Sequence, residues 1–136
     1  QSEMNASSTE DLTLFQIWII PDKQGVSPRY DQRHFEWSKA GDLQVLVESI
    51  DDFKLEHSLK IHQKAQISRI HLNKGDRFDY PLKSEEHGVY VLQIDGTSMV
   101  CGQKLNLRDA VGISKAPSFD VLAHNDAQLL FIEVPV

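Results

Sequence analysis

Apolar and polar residues alternate in short runs along this chain, and glycine, proline, asparagine or aspartate breaks most of the runs. The run from Leu12 to Ile20 stands apart. Phe15, Ile17 and Ile19 face one way, while Leu12, Leu14, Gln16, Trp18 and Ile20 face the other. Both faces are apolar, so the pattern predicts a strand covered on both sides and ended by Pro21. Gln16 is the exception, because a buried amide must find partners or cost a few kcal/mol. Pro21 to Arg33 then reads as an extended connector, carrying the breakers Pro21-Asp22, Gln24-Gly25 and Ser27-Pro28.

From Leu43 onward short strands are predicted at regular intervals. Leu43 to Val47 alternates, Ser58 to His62 is short and amphipathic, and Ala65 to Leu72 alternates again before a turn at Lys74-Gly75-Asp76. Gly88 to Ile94 is rich in Val, Tyr, Leu and Ile. The following Asp95-Gly96 predicts a two-residue hairpin turn, with Ile94 facing Thr97 and Leu92 facing Met99. Cys101-Gly102-Gln103 turns the chain once more, and Ala110 to Ile113, Phe119 to His124 and Ala127 to Val134 complete the series. Helical periodicity is confined to a single turn expected at Asp51 to His57. About ten short strands with turns between them indicate an all-β sandwich or barrel, with a jelly roll as the preferred form.

Composition narrows the classes of function. The chain has 136 residues, 40% hydrophobic and 25% charged, as in an ordinary globular domain. Its net charge of −6 without a basic block argues against nucleic acid and against anionic lipid as partners. No apolar run approaches the length of a membrane span, so the expectation is a soluble chain. The single cysteine, Cys101, excludes an intrachain disulfide and is compatible with the cytoplasm.

Candidate chemistry is sparse. There is no Gly-x-Ser-x-Gly elbow and no phosphate-binding glycine loop. Cys101 follows Val100 in a predicted strand and reads as a core or edge thiol rather than a nucleophile. The acid pairs Asp51-Asp52 and Glu85-Glu86 read as solvated turns. Arg29, Tyr30, Arg33 and His34 in the connector could hold an anion, but packing is the simpler reading. The histidines are His34, His57, His62, His71, His87 and His124. Convergence of His62, His71 and His124 inside a barrel would make a site, yet no motif supports it, and ordinary surface or hydrogen-bonded roles are expected.

Gln16-Ile17-Trp18-Ile19-Ile20-Pro21, followed by Gly25, Pro28, Tyr30 and Phe35, resembles the interdomain signature of pirin-like proteins. Gly88 to Gly96, Leu105 with Arg108-Asp109-Ala110, and Leu129 to Ile132 are similar to the second half of the same family. These are bicupins, with two jelly-roll barrels in one chain. The resemblance implies an all-β cupin fold in which residues 1–21 are the last strand of a first barrel, 22–42 the connector and 43–136 the second barrel. It also implies chemistry in the first barrel, where three His and one Glu hold a metal, usually iron, and where some members act as quercetin 2,3-dioxygenases.

The downstream ligands of that first barrel normally lie in a His-Ser-Glu triplet, which here reads Gln1-Ser2-Glu3. Glu3 matches the carboxylate ligand, and Gln1 stands where the histidine should be. One carboxylate cannot make a site that needs three or four ligands, and the plain reading of Glu3 is a solvated side chain. In the second barrel the cupin motif Gly-x5-His-x-His-x3,4-Glu, counted from Gly75, puts Pro81 and Lys83 at the histidine positions and the glutamate near His87 to Val89. Counting from Gly102 puts Ile113 at the last histidine. The expectation is a metal-free, non-catalytic module with no cofactor of its own. The alternative is part of a metal-dependent dioxygenase whose other ligands lie outside the chain. The strand Leu12 to Ile20 would have lost its barrel, and the expected remedy is a homodimer through it, with folding back over its own barrel as the alternative.

Overall fold

A computed structural model describes residues 37–49, 58–61 and 64–136. The strand expected at Leu12 to Ile20, the connector to Glu36, the helical turn at Asp51 to His57, and Gln1 and Glu3 lie outside the described residues. Every regular element among the described residues is a strand, and no helix there is long and apolar enough to cross a membrane. The ten strands are β1 (Gln44–Ser49), β2 (Leu59–Ile61), β3 (Gln66–Leu72), β4 (Arg77–Pro81), β5 (His87–Asp95), β6 (Ser98–Val100), β7 (Gln103–Leu105), β8 (Ala110–Ser114), β9 (Ser118–Ala123) and β10 (Ala127–Pro135). They form a six-stranded sheet in the order β2-β1-β3-β10-β5-β8 and a four-stranded sheet in the order β4-β9-β6-β7. All pairings are antiparallel except that of β1 with β2. This is the two-sheet jelly roll of the cupin fold.

The strands are placed by their alternation. On β10, Ala127, Leu129 and Phe131 join the core cluster, where Ile70, Leu72, Val89, Val91 and Phe119 meet them. Leu130 and Ile132 fall on the opposite face and are buried as well. Ile67 on β3 and Leu92 on β5 share this second buried face. β10 lies between β3 and β5, so both of its edges are paired, and both of its faces are buried. The smaller sheet has one wet face. Arg77 and Asp79 on β4 are exposed, whereas Tyr80 is fully buried and Phe78 packs against the core. The Arg77 guanidinium bonds the Asp120 carboxylate on the neighbouring strand at 2.6 Å.

Two local expectations change. Asp95-Gly96 is not a hairpin turn. β5 has both edges occupied, by β10 and by β8, so no edge remains for β6, and Ile94–Thr97 and Leu92–Met99 do not pair. The chain instead bends at 95–97 and crosses to the other sheet, where β6 pairs with β9 and β7. The two-residue hairpin turn lies at Cys101-Gly102, flanked by the pair Val100 and Gln103, and both turn residues have positive φ, 50° and 78°. Cys101 is therefore an exposed turn residue, not a core or edge thiol. β4 adds a strand that the spacing from Ala65 to Gly88 leaves unassigned.

The end of the connector is tied to the barrel. The Trp37 ring lies over the Arg69 guanidinium, 3.8 Å from its centre, and Arg69 Nε donates to Gln44 Oε1 at 2.9 Å. His71 Nε2 donates to the Ser38 carbonyl at 2.6 Å, and Gly41 N donates to the His71 carbonyl at 2.9 Å.

Candidate functional site

The chemistry-bearing residues that meet inside the barrel centre on Glu133. The inward phase of β10 runs Ala127, Leu129, Phe131, Glu133, so the pleat that builds the core also drives a carboxylate into it. Its side chain is completely buried. An unpaired carboxylate there would be prohibitively costly, and three donors converge on it. Tyr80 Oη donates to Oε1 at 2.6 Å, Lys83 N donates to Oε2 at 2.7 Å, and His87 Nδ1 donates to Oε2 at 2.7 Å. The donors come from the end of β4, from the loop after it, and from the first residue of β5.

Tyr80 is held rigidly. Its ring stacks on Phe119 at 5.0 Å and 17°, and it lies 4.7 Å from Phe131. Burial pushes the phenol well above its ordinary pKa, and the hydrogen bond to Glu133 and that carboxylate's charge push it further. Gln66 and Ser68 face the phenol oxygen and pull weakly the other way, although the buried Ser68 hydroxyl makes no well-formed hydrogen bond of its own. The phenol therefore stays protonated and acts as a donor. His87 is fixed by the same carboxylate. With Nδ1–H committed to Glu133, Nε2 is the ring nitrogen left for other partners, on a side chain one-quarter exposed.

These residues do not fit a metal. The inward positions of β4 and its extension are Phe78, Tyr80 and Leu82, whereas Pro81 and Lys83, the positions counted from Gly75, are exposed. The motif count therefore falls one residue out of phase with the pleat. Ile113, at the last histidine position, is core. What remains is one carboxylate with both oxygens engaged, one imidazole and a phenol, short of the three or four free N/O ligands a divalent ion needs. Among the described residues no three His, Cys, Asp or Glu side chains are grouped to hold an ion.

The other expected candidates do not converge. His71 is spent on Ser38 and lies edge-on to Trp37 at 5.6 Å, on the face away from the core. The His124 backbone N donates to the Thr97 carbonyl at 3.0 Å, at the opposite end of the barrel from Glu133. Glu85 and Glu86 are exposed in a turn, as expected. His34, His57, His62, Arg29, Tyr30 and Arg33 lie outside the described residues. The Glu133 cluster itself was not foreseen. Its one signal in the sequence is a glutamate in phase with Leu129 and Phe131.

Comparison with known proteins gives a consistent picture. The family model described as the quercetinase C-terminal cupin domain matches residues 46–134. A quercetin 2,3-dioxygenase of Escherichia coli K12 is 31% identical over 134 residues, covering 98% of this chain and 55% of that protein. A pirin-like protein of Caulobacter vibrioides is 28% identical over 125 residues, covering 91% of this chain and 53% of its own. Among solved structures, the bacterial pirin YhhW of E. coli in complex with nickel(II) superposes with a TM-score of 0.67 at 25% identity, over 85% of this chain and 47% of that one. The chain thus spans about half the length of the curated relatives it matches. A family model that covers most of the chain, on a two-sheet barrel of the same fold, places this chain in the pirin-like cupin family, with residues 46–134 as its quercetinase C-terminal cupin domain.

Proposed function

We propose that the barrel over 43–136 is a metal-free, non-catalytic structural or interaction module. The observation that carries this reading is Glu133. The buried Glu133 carboxylate has both oxygens engaged by Tyr80, Lys83 and His87, and Phe78, Phe119 and Phe131 pack around the Tyr80 ring that holds it. A buried carboxylate with both oxygens bonded serves architecture, because neither oxygen is left for a metal or a substrate to engage. A cytoplasmic location goes with this reading. A homodimer formed through the strand at Leu12 to Ile20 would cover both of its apolar faces.

A second reading rests on the relatives. Two proteins 31% identical to this chain are named quercetin 2,3-dioxygenases, and the nickel(II) complex of a bacterial pirin shows that a family member takes a metal. On this reading the chain is the second half of a metal-dependent dioxygenase. Glu3 would be one ligand, Gln1 would replace another, and the remaining ligands would come from outside the chain. Metal analysis of the purified chain, with a quercetin turnover assay, separates the two. No stoichiometric iron, nickel or copper and no turnover is the expected result, and a bound ion with turnover would overturn it. Light scattering at micromolar concentration tests the dimer, which a strictly monomeric mass would exclude.

A further inference from the structure

We propose that Asp95-Gly96 is a site of spontaneous covalent modification, at which Asp95 converts to isoaspartate in the folded protein. The structure singles this residue out among the described aspartates. The Asp95 carboxylate is exposed, and its Oδ1 lies 3.0 Å from the backbone N of Gly96, the next residue. Five chain atoms from that nitrogen to Cγ would make the imide ring, and the contact to Oδ1 keeps the carboxyl group beside that nitrogen. Gly96 carries no side chain to shield its nitrogen.

The other aspartates with a resolved carboxylate partner are held elsewhere. Asp76 Oδ2 accepts from Asn73 N, Asp109 Oδ2 from Asn106 N, Asp126 Oδ1 from Lys74 N, and Asp120 Oδ2 from Arg77. Each of these bonds keeps the carboxylate off its own following amide, and each of these aspartates precedes a residue with a side chain.

The chemistry closes without a co-reactant. In the fraction of molecules with the Asp95 carboxyl protonated, the Gly96 nitrogen bonds to Cγ, and its proton and the carboxyl OH leave together as water. Water then opens the cyclic imide. Attack at Cγ restores aspartate, and attack at the backbone carbonyl carbon routes the main chain through Cγ. One water leaves, one returns, and nothing is oxidised. The product lengthens the backbone by one methylene at the corner that carries the chain between the two sheets. It also displaces the Asp95 carbonyl, which now accepts from Gln93 Nε2 at 2.8 Å. Gln93 is fully buried and its Oε1 already lacks a partner, so the modified corner is less well satisfied.

The test is to incubate the intact folded protein for weeks at neutral pH and body temperature. An isoaspartyl methyltransferase with labelled methyl donor then marks the product, and the label is mapped by peptide. The expected result is several-fold more label on the peptide holding Asp95 than on those holding Asp76, Asp109, Asp120 or Asp126, and loss of that label in Asp95→Glu. Absence of label at Asp95, or the same even spread over all aspartates as in the urea-unfolded chain, would overturn the proposal.

Discussion

Tyr80 donates to Glu133 at 2.6 Å across the inside of the barrel, joining the edge strand of the small sheet to a central strand of the large one. The two residues are separated by 53 positions, so the bond forms only when the two sheets have closed on each other. It fixes the relative position of the sheets at the end where the β4–β5 loop folds over the barrel.

Replacing Glu133 with leucine keeps the volume and removes the acceptor. Tyr80 Oη and Lys83 N then lose this acceptor. Each orphaned buried donor costs about 1–3 kcal/mol, so Glu133→Leu should destabilise the fold by about 2–5 kcal/mol. Urea unfolding measures this directly. A loss under about 1 kcal/mol would mean the cluster contributes little beyond what an apolar plug supplies.

The raised pKa of Tyr80 makes a statement about alkaline stability. Its folded-state pKa lies above its unfolded value, so the unfolded chain gives up the proton first as pH rises. Stability is fully present below the unfolded value, near pH 10, and falls above it by about 1.4 kcal/mol per pH unit for this one proton. Urea midpoints measured on either side of that pH should show the decline. Tyr80→Phe should start lower, because Glu133 loses a donor, and should then lose this part of the slope. An unchanged slope in Tyr80→Phe would assign the alkaline loss to other groups.

The Arg77–Asp120 pair looks strong by distance alone, at 2.6 Å. Its side chains are 62% and 46% exposed, and Asp79 stands directly opposite Asp120 on β4. Solvent screening leaves such pairs within about 1 kcal/mol of neutral. Arg77→Ala should therefore shift stability by less than that amount, with a small dependence on salt. A larger loss would show that Arg77 is needed to separate the two aspartates.

Strands were legible in this sequence wherever alternation runs over a bounded stretch, as in Ala65 to Leu72 and Ala127 to Val134. β4 carries the same alternation, Arg77 and Asp79 out, Phe78 and Tyr80 in, but it is five residues long and follows the turn so closely that it escapes notice. The failure at Asp95-Gly96 has a different origin. A turn dipeptide reports only local backbone preference. Whether the preceding strand has a free edge depends on β8 and β10, which arrive later in the chain. The candidate site was hidden for the same reason. Glu133, Tyr80 and His87 have no spacing that marks them, because three-dimensional closure alone brings them together. The cupin spacing pointed at the correct stretch, 81 to 87, but at the outward phase of the strand.

Gly96 and Gly102 both have positive φ, 71° and 78°, yet their surroundings differ. A methyl group on Gly102 would meet nothing within 4 Å. Gly102→Ala therefore bears only the backbone strain of an L residue in the left-handed region, about 1–2 kcal/mol. A methyl group on Gly96 would come within 2.1 Å of the Asp126 carbonyl oxygen and 2.7 Å of Asn125 Oδ1. Those atoms belong to the β9–β10 turn, which holds Thr97 N at 2.8 Å and Lys74 N at 3.0 Å, so neither can withdraw without breaking a bond. Gly96→Ala should cost at least about 3 kcal/mol, the strain plus a displaced turn and its lost hydrogen bonds. Thermal unfolding of the two variants side by side compares them under one condition. Equal losses would show that the turn at 124–126 can yield, and that the corner between the two sheets is softer than its packing implies.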